Sequence, residues 1–331
     1  MRRKKGVFWR KARTVLTPFL VYYGVYVTSV LLLSWPLQMM AGVPGAGDGE
    51  NAGRVLTGIE KLAGDYRETM IGIVNSACML IGAMVLLPML RTELQNHRQS
   101  CRKEKGTAAM GGRLQGWQGT VTVGLTVVSA AASSVGLNIL LFLTGLVQNS
   151  TDYQEVAQRQ YGVAFGIGLL LYMVVSPLAE EIVFRGVIYN RLRRCLVGIE
   201  DSVGSMESRR SEGQVSQRAA AGSGRGRMAA IVTSGVLFGI YHGNLVQGIY
   251  GCCMGILMAY LYERTHTFCI TVLFHAVANG VVYLIAHNIA LQGQIFTVPC
   301  CTALLAVAAV SVFGIARILS YGETRDESNE L

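Results

Sequence analysis

Apolar stretches of about 20 residues recur along the whole chain, parted by polar or basic connections, and they constrain it more than any other feature. About 20 such residues at ~1.5 Å each match the ~30 Å hydrocarbon core of a bilayer. The pattern predicts an all-α fold, a polytopic transmembrane helical bundle with about eight spans. These lie at roughly 15–41, 69–90, 119–147, 161–194, 228–243, 245–262, 267–288 and 297–320. Charged residues make up only 15% of the chain, against roughly 25% in soluble proteins, which removes the material for a wet surface.

The formal net charge of +9 raises the question of nucleic acid. Its placement answers against one: Lys and Arg cluster in connections, without interleaved stacking aromatics, where they set topology and meet anionic lipid headgroups. With the N-terminus inside, the basic connections 91–118 and 191–227 fall inside, and 148–160, 243–247 and 289–296 fall outside nearly free of Lys and Arg. The 42–68 connection mixes Arg54, Lys61 and Arg67 with Asp48, Glu50, Glu60, Asp65 and Glu68. We therefore expect an integral protein of the plasma membrane with both termini cytoplasmic. The basic N-terminus and the long apolar stretch behind it read as a retained signal anchor. Eight cysteines without paired metal-ligand spacing predict no disulfide framework.

Three spans carry polar groups that lipid does not tolerate without partners. Span four holds Glu180, Glu181 and Arg185 beyond Pro177, where a lost backbone donor predicts a kink or a restart capped by Ser176. Glu181 and Arg185 are four apart and share a face, so they pair, which leaves Glu180 as the better general base. Span five holds Phe238 and His242 on one face, beside a close-approach face of Gly235 and Gly239. Span seven holds His275 and Asn279, again four apart. Counted at ~1.5 Å per residue, Glu180 and His275 lie about 14–16 Å deep and His242 about 20 Å, near one midplane level. His97, His266 and His287 lie in or beside connections and read as solvated.

The ordered set Glu180, Glu181 and Arg185, then Phe238 and His242, then His275 and Asn279 resembles the CPBP family. These are the type II CAAX-protease and bacteriocin-processing (Abi) intramembrane proteases. Phe184-Arg185-Gly186, the Gly251–Gly255 stretch before Tyr260 and Arg264, and Leu273 to Ala276 add to the resemblance, which covers about residues 170–285. It implies peptide-bond hydrolysis, with Glu180 and His242 activating water and His275 with Asn279 stabilising the oxyanion. Glu181, Arg185 and Phe238 would support them. Glu180, His242 and His275 also form a possible zinc set with one open position, so the cofactor is either none or Zn. The absence of an HExxH pattern and the nearby Arg185 favour the metal-free form.

The expected organisation is a basic cytoplasmic N-terminus at 1–14 and N-terminal spans at 15–160. A catalytic core at 161–288 follows, interrupted by a disordered cytoplasmic loop at 198–226. The last span and a polar tail occupy 289–331. The expected partners are the lipid bilayer and a peptide or membrane-anchored protein substrate, admitted unwound through a cavity open to the cytoplasm. A non-catalytic scaffold or bacteriocin self-immunity protein of the same fold, or a transporter, is the alternative.

Overall fold

The computed structural model describes residues 2–41, 66–105, 116–197 and 212–329. No strand occurs among them, and eleven helices follow one another: α1 (Arg2–Ala41), α2 (Arg67–Val85), α3 (Leu87–Lys105), α4 (Gly116–Leu143), α5 (Thr151–Tyr161), α6 (Phe165–Val197), α7 (Glu212–Tyr241), α8 (Leu245–Thr265), α9 (Phe268–Ala286), α10 (Ile289–Ile295) and α11 (Val298–Asn329). The chain is a polytopic helical bundle. Among the described residues, seven helices are long and apolar enough to cross a membrane: Lys11–Leu33, Arg67–Val85, Gly116–Leu143, Phe165–Val197, Leu245–Thr265, Phe268–Ala286 and Val298–Ser320. Side chains such as Val310, 70% exposed on α11, have no protein neighbour to cover them and suit a lipid environment.

The eighth expected span, 228–243, is the end of α7. Arg225 and Arg227 precede it, and the helix stops at Tyr241, so its apolar part spans only about 21 Å at ~1.5 Å per residue. Two connections are also more regular than the sequence suggested. Part of 148–160 is α5, whose first turn is capped by the Ser150 side chain accepting from the Tyr153 amide. Of the expected loop 198–226, residues 198–211 lie outside the described set, but 212–226 continue α7 as helix. Extending a helix already nucleated is cheap, and Ala219, Ala220 and Ala221 favour it. The Gly42–Gly53 connection lies outside the described residues.

Ion pairs gather at one end of the bundle. Glu93 on α3 is clamped by Arg191 at 2.9 Å and Arg194 at 2.6 Å from the end of α6. Glu263 on α8 accepts from Arg193 and from the Tyr189 hydroxyl, each at 2.8 Å, and Arg227 of α7 comes within 3.7 Å. Arg191 also donates to the Thr14 carbonyl of α1, and Arg264 to Ser320 of α11. This collar joins the connections that the charge rule assigned to one side.

Glycines set how closely α7 and α8 approach. A Cβ added at Gly255 would sit 2.9 Å from the Gly235 Cα and 3.1 Å from Phe238. One added at Gly251 would sit 3.2 Å from the Gly239 Cα and 3.2 Å from His242 Nδ1. Two glycine ridges therefore face each other, as Gly235 and Gly239 alone had indicated. We expect Gly255→Val to destabilise the detergent-purified protein by about 1–3 kcal/mol through overpacking. Gly293→Ala, where nothing lies within 4 Å, should leave the melting temperature unchanged. Equal melting of the two variants would contradict the ridge packing.

Candidate active site

The break in α6 follows from a single missing hydrogen. Before Pro177 the helix widens into a π-turn over Leu171–Val175, and the Ser176 amide reaches back five residues to the Leu171 carbonyl. The Tyr172 carbonyl then has no backbone donor. Its α-helical partner, the Ser176 amide, is taken, and the next amide belongs to proline, which has no hydrogen. The Asn279 side chain of α9 supplies the donor, its Nδ2 lying 3.1 Å from the Tyr172 oxygen. Of the expected kink or restart, there is no restart: α6 continues through Pro177, and its irregularity is the π-turn just before it. Ser176 keeps helical backbone angles instead of capping, and its hydroxyl donates 2.8 Å to Glu180 Oε1.

Beyond Glu181 a second π-helical stretch, Ile182–Tyr189, is buried on every face, which places Arg185 inside the protein. Arg185 is 0% exposed. Its Nη1 donates 2.7 Å to Glu181 Oε1, its Nη2 donates 3.1 Å to the Gly255 carbonyl, and its Cζ lies 4.5 Å from the Phe238 ring centre. The expected Glu181–Arg185 pair is present, and it ties α6 to α7 and α8. His275 of α9 joins the same carboxylate, with Nδ1 3.0 Å from Glu181 Oε1. The other face of that imidazole looks toward Glu180, Nε2 lying 3.7 Å from Oε2, too far for a direct hydrogen bond. Glu180 is therefore flanked by Ser176 and His275.

His242 sits one residue past the end of α7, in the turn with Gly243 at φ +75°, rather than within a span. Its Nδ1 lies 2.8 Å from the Phe238 carbonyl. A carbonyl only accepts, so Nδ1 carries a hydrogen, and in the neutral ring the lone pair is on Nε2. The Phe238 ring meets the His242 and His275 rings edge-on, at 4.9 and 5.6 Å between centres.

Glu180, His242, His275 and Asn279 line one cavity of about 180 Å³, together with Ser176 and Tyr172. At ~30 Å³ per water this holds about six waters. The cavity extends away from the ion-pair collar, toward α5, where Tyr153, Ala157, Gln160 and Tyr161 line it. Among the described residues, the lining of this cavity lies at the end opposite the basic collar. Sequence reasoning missed Ser176 as a partner of Glu180, the Tyr172 carbonyl and the α5 lining. Only Pro177 signalled the second of these.

Two of the three histidines expected to be solvated are not. His97 is buried, and His266, partly buried, lies beside it. Burial, with Arg193 and Arg98 adding to it, holds the His97 imidazole down at about 3. Among the described residues, His97, Cys101 and His266 form a trio whose ligand atoms all lie within 4.8 Å of one another. Glu180, His242 and His275 do not meet that condition.

Residues 162–281 match the family model described as Rce1-like, type II CAAX prenyl endopeptidase. The match supports the resemblance to the CPBP family over that segment. The matched segment runs from just before α6 into α9 and contains Glu180, Glu181, Arg185, Phe238, His242, His275 and Asn279. Comparison with curated proteins gave no match, and comparison with solved structures gave none.

Removing one partner of a buried ion pair strands the other charge. We expect Arg185→Ala to lower stability by about 3–5 kcal/mol, and Arg185→Lys to recover only part, since an ammonium cannot serve Glu181, Gly255 and Phe238 together. Thermal unfolding in detergent measures both. A cycle tests the proline argument: Asn279→Ala should cost about 1 kcal/mol more with Pro177 than with Pro177→Ala, whose restored amide can reach the Tyr172 carbonyl. Strict additivity would contradict it.

Proposed function

We propose that this chain is an intramembrane endopeptidase of the CPBP type, hydrolysing a peptide bond presented in the cavity beneath α5. The observation that carries the reading is that Glu180, His242, His275 and Asn279, from α6, the α7–α8 turn and α9, all line one cavity of about 180 Å³. A carboxylate and an imidazole with its lone pair available can together take a proton from water. The water oxygen attacks the peptide carbonyl carbon, and its proton passes to Glu180 or His242. The carbonyl oxygen gathers negative charge and needs donors.

Asn279 has a second amide hydrogen besides the one given to Tyr172. His275 donates from Nε2 only if that nitrogen is protonated while Nδ1 is held by Glu181, giving an imidazolium between two carboxylates. Donors aimed at such an oxygen are worth about 2.7–4 kcal/mol each in well-studied proteases. The C–N bond then breaks, and the stored proton moves to the leaving amine.

An α-helix is about 10 Å across with its side chains, so a cavity of this size suits an extended substrate segment better than a helical one. The donor atoms of Glu180, His242 and His275 do not converge as a trio, so the steps above use no metal. With the collar toward the cytoplasm, as the charge rule favours, the cavity leads toward the opposite face of the membrane, and both termini lie with the collar.

The deciding comparison is between cells carrying the wild type and Glu180→Gln. A peptide or membrane-anchored protein trimmed only by the wild type is expected, with the variant at least roughly a hundredfold slower in vitro, as loss of a general base commonly produces. Chelators should leave the purified activity unchanged for as long as the protein stays folded, followed by circular dichroism on the same sample. Identical termini in both strains would sink the protease reading, and recovery by zinc after chelation would restore the metal alternative.

A further inference from the structure

We infer that His97, Cys101 and His266 form a site for a borderline-soft divalent cation of the Zn²⁺ type, separate from the catalytic cavity and beyond the proposed reaction. His97 and Cys101 are four apart on α3, and both are buried. His266 reaches them from the turn between α8 and α9. The His97 Nε2 to His266 Nδ1 distance is 3.2 Å, and Cys101 Sγ lies 3.6 Å from the former and 3.4 Å from the latter. A tetrahedral Zn²⁺ with bonds of about 2.3 Å to sulfur and about 2.0–2.1 Å to nitrogen places N and N about 3.3 Å apart and S and N about 3.6 Å apart. The trio already has these spacings, and three protein ligands leave one position for water.

The backbone of His266 fixes where its ring emerges. It caps α8 at φ +53°, the sole non-glycine positive φ among the described residues, and its amide closes 2.7 Å onto the Tyr262 carbonyl. Histidine is among the few side chains that take up such a cap, and here the cap turns the imidazole back toward α3. The His97 ring is fixed by stacking on Tyr262, with centres 4.9 Å apart. Arg193, the nearby cation that reaches His97, is engaged by Glu263. A cation here would pin α3 to the α8–α9 turn across 165 residues of chain. That makes it a structural staple between the matched segment and the part of the chain outside it.

The test uses the full-length protein in detergent. After zinc loading and gel filtration, elemental analysis is expected to give about one Zn per chain, and Co²⁺ substitution to give thiolate-to-cobalt charge-transfer absorption. Cys101→Ser and His266→Asn, the latter keeping a residue that tolerates the cap, should each weaken metal retention at least roughly tenfold. His242→Ala should leave it unchanged. In the wild type, where no variant can misfold, Zn²⁺ should slow alkylation of Cys101 roughly tenfold, read by peptide mass spectrometry and reversed by chelator. Sub-stoichiometric zinc, an unchanged Cys101 alkylation rate, or metal lost with His242→Ala but kept with Cys101→Ser would each overturn the proposal.

Discussion

An arginine and a glutamate with no exposure to solvent are the interaction on which the rest of this structure depends. Moving both charges out of water costs several kcal/mol per ion, and their mutual attraction offsets that only with good geometry and further hydrogen bonds. Arg185 meets the condition by using three directions at once, toward Glu181, the Gly255 carbonyl and the Phe238 face. Gly255 and Phe238 belong to two other helices, α8 and α7. Glu181 extends the network to α9 by accepting from His275. The relative placement of α6, α7, α8 and α9 is thus a condition for burying one ion pair, and the candidate catalytic groups inherit their positions from it.

Backbone chemistry does the same work from the other side of the cavity. Pro177 deprives the Tyr172 carbonyl of a donor, and in a water-poor interior that oxygen must be satisfied by something. Asn279 satisfies it, so the side chain with a proposed role in catalysis also closes a defect in the helix opposite. The π-turn is then a device that brings α9 into register with α6, consistent with the frequent occurrence of such turns at functional sites.

The class of fold was legible because lipid imposes length and apolarity on each crossing, and the edges of α4, α8 and α9 fell within a few residues of the expected ones. The pairing of Glu181 with Arg185 was legible because four residues make one helical turn. The end of α7 was legible to within two residues of the expected 243, but its start was not, since the Ser-, Gly- and Arg-rich residues 212–226 carry no apolar periodicity and their helix extends the one that follows. Nor was the fate of His97 and His266. A position near a connection says nothing about whether a distant element covers it, and α3 is covered by a turn more than 160 residues later. The role of Ser176 was misread because Ser-Pro is a common helix start, and the local rule was overridden by the tertiary demand of Glu180.

The collar fastens α1, α3, α6, α7, α8 and α11 together at a single level by directional charged contacts. At the far end, beneath α5, helices meet through rings and aliphatic side chains instead, as where Tyr161 faces Tyr283 and Phe142 meets Phe296 edge-on. Contacts of the second kind have no preferred partner atom to lose when they slide, so the two ends of the bundle differ in how sharply each fixes the distance between its helices.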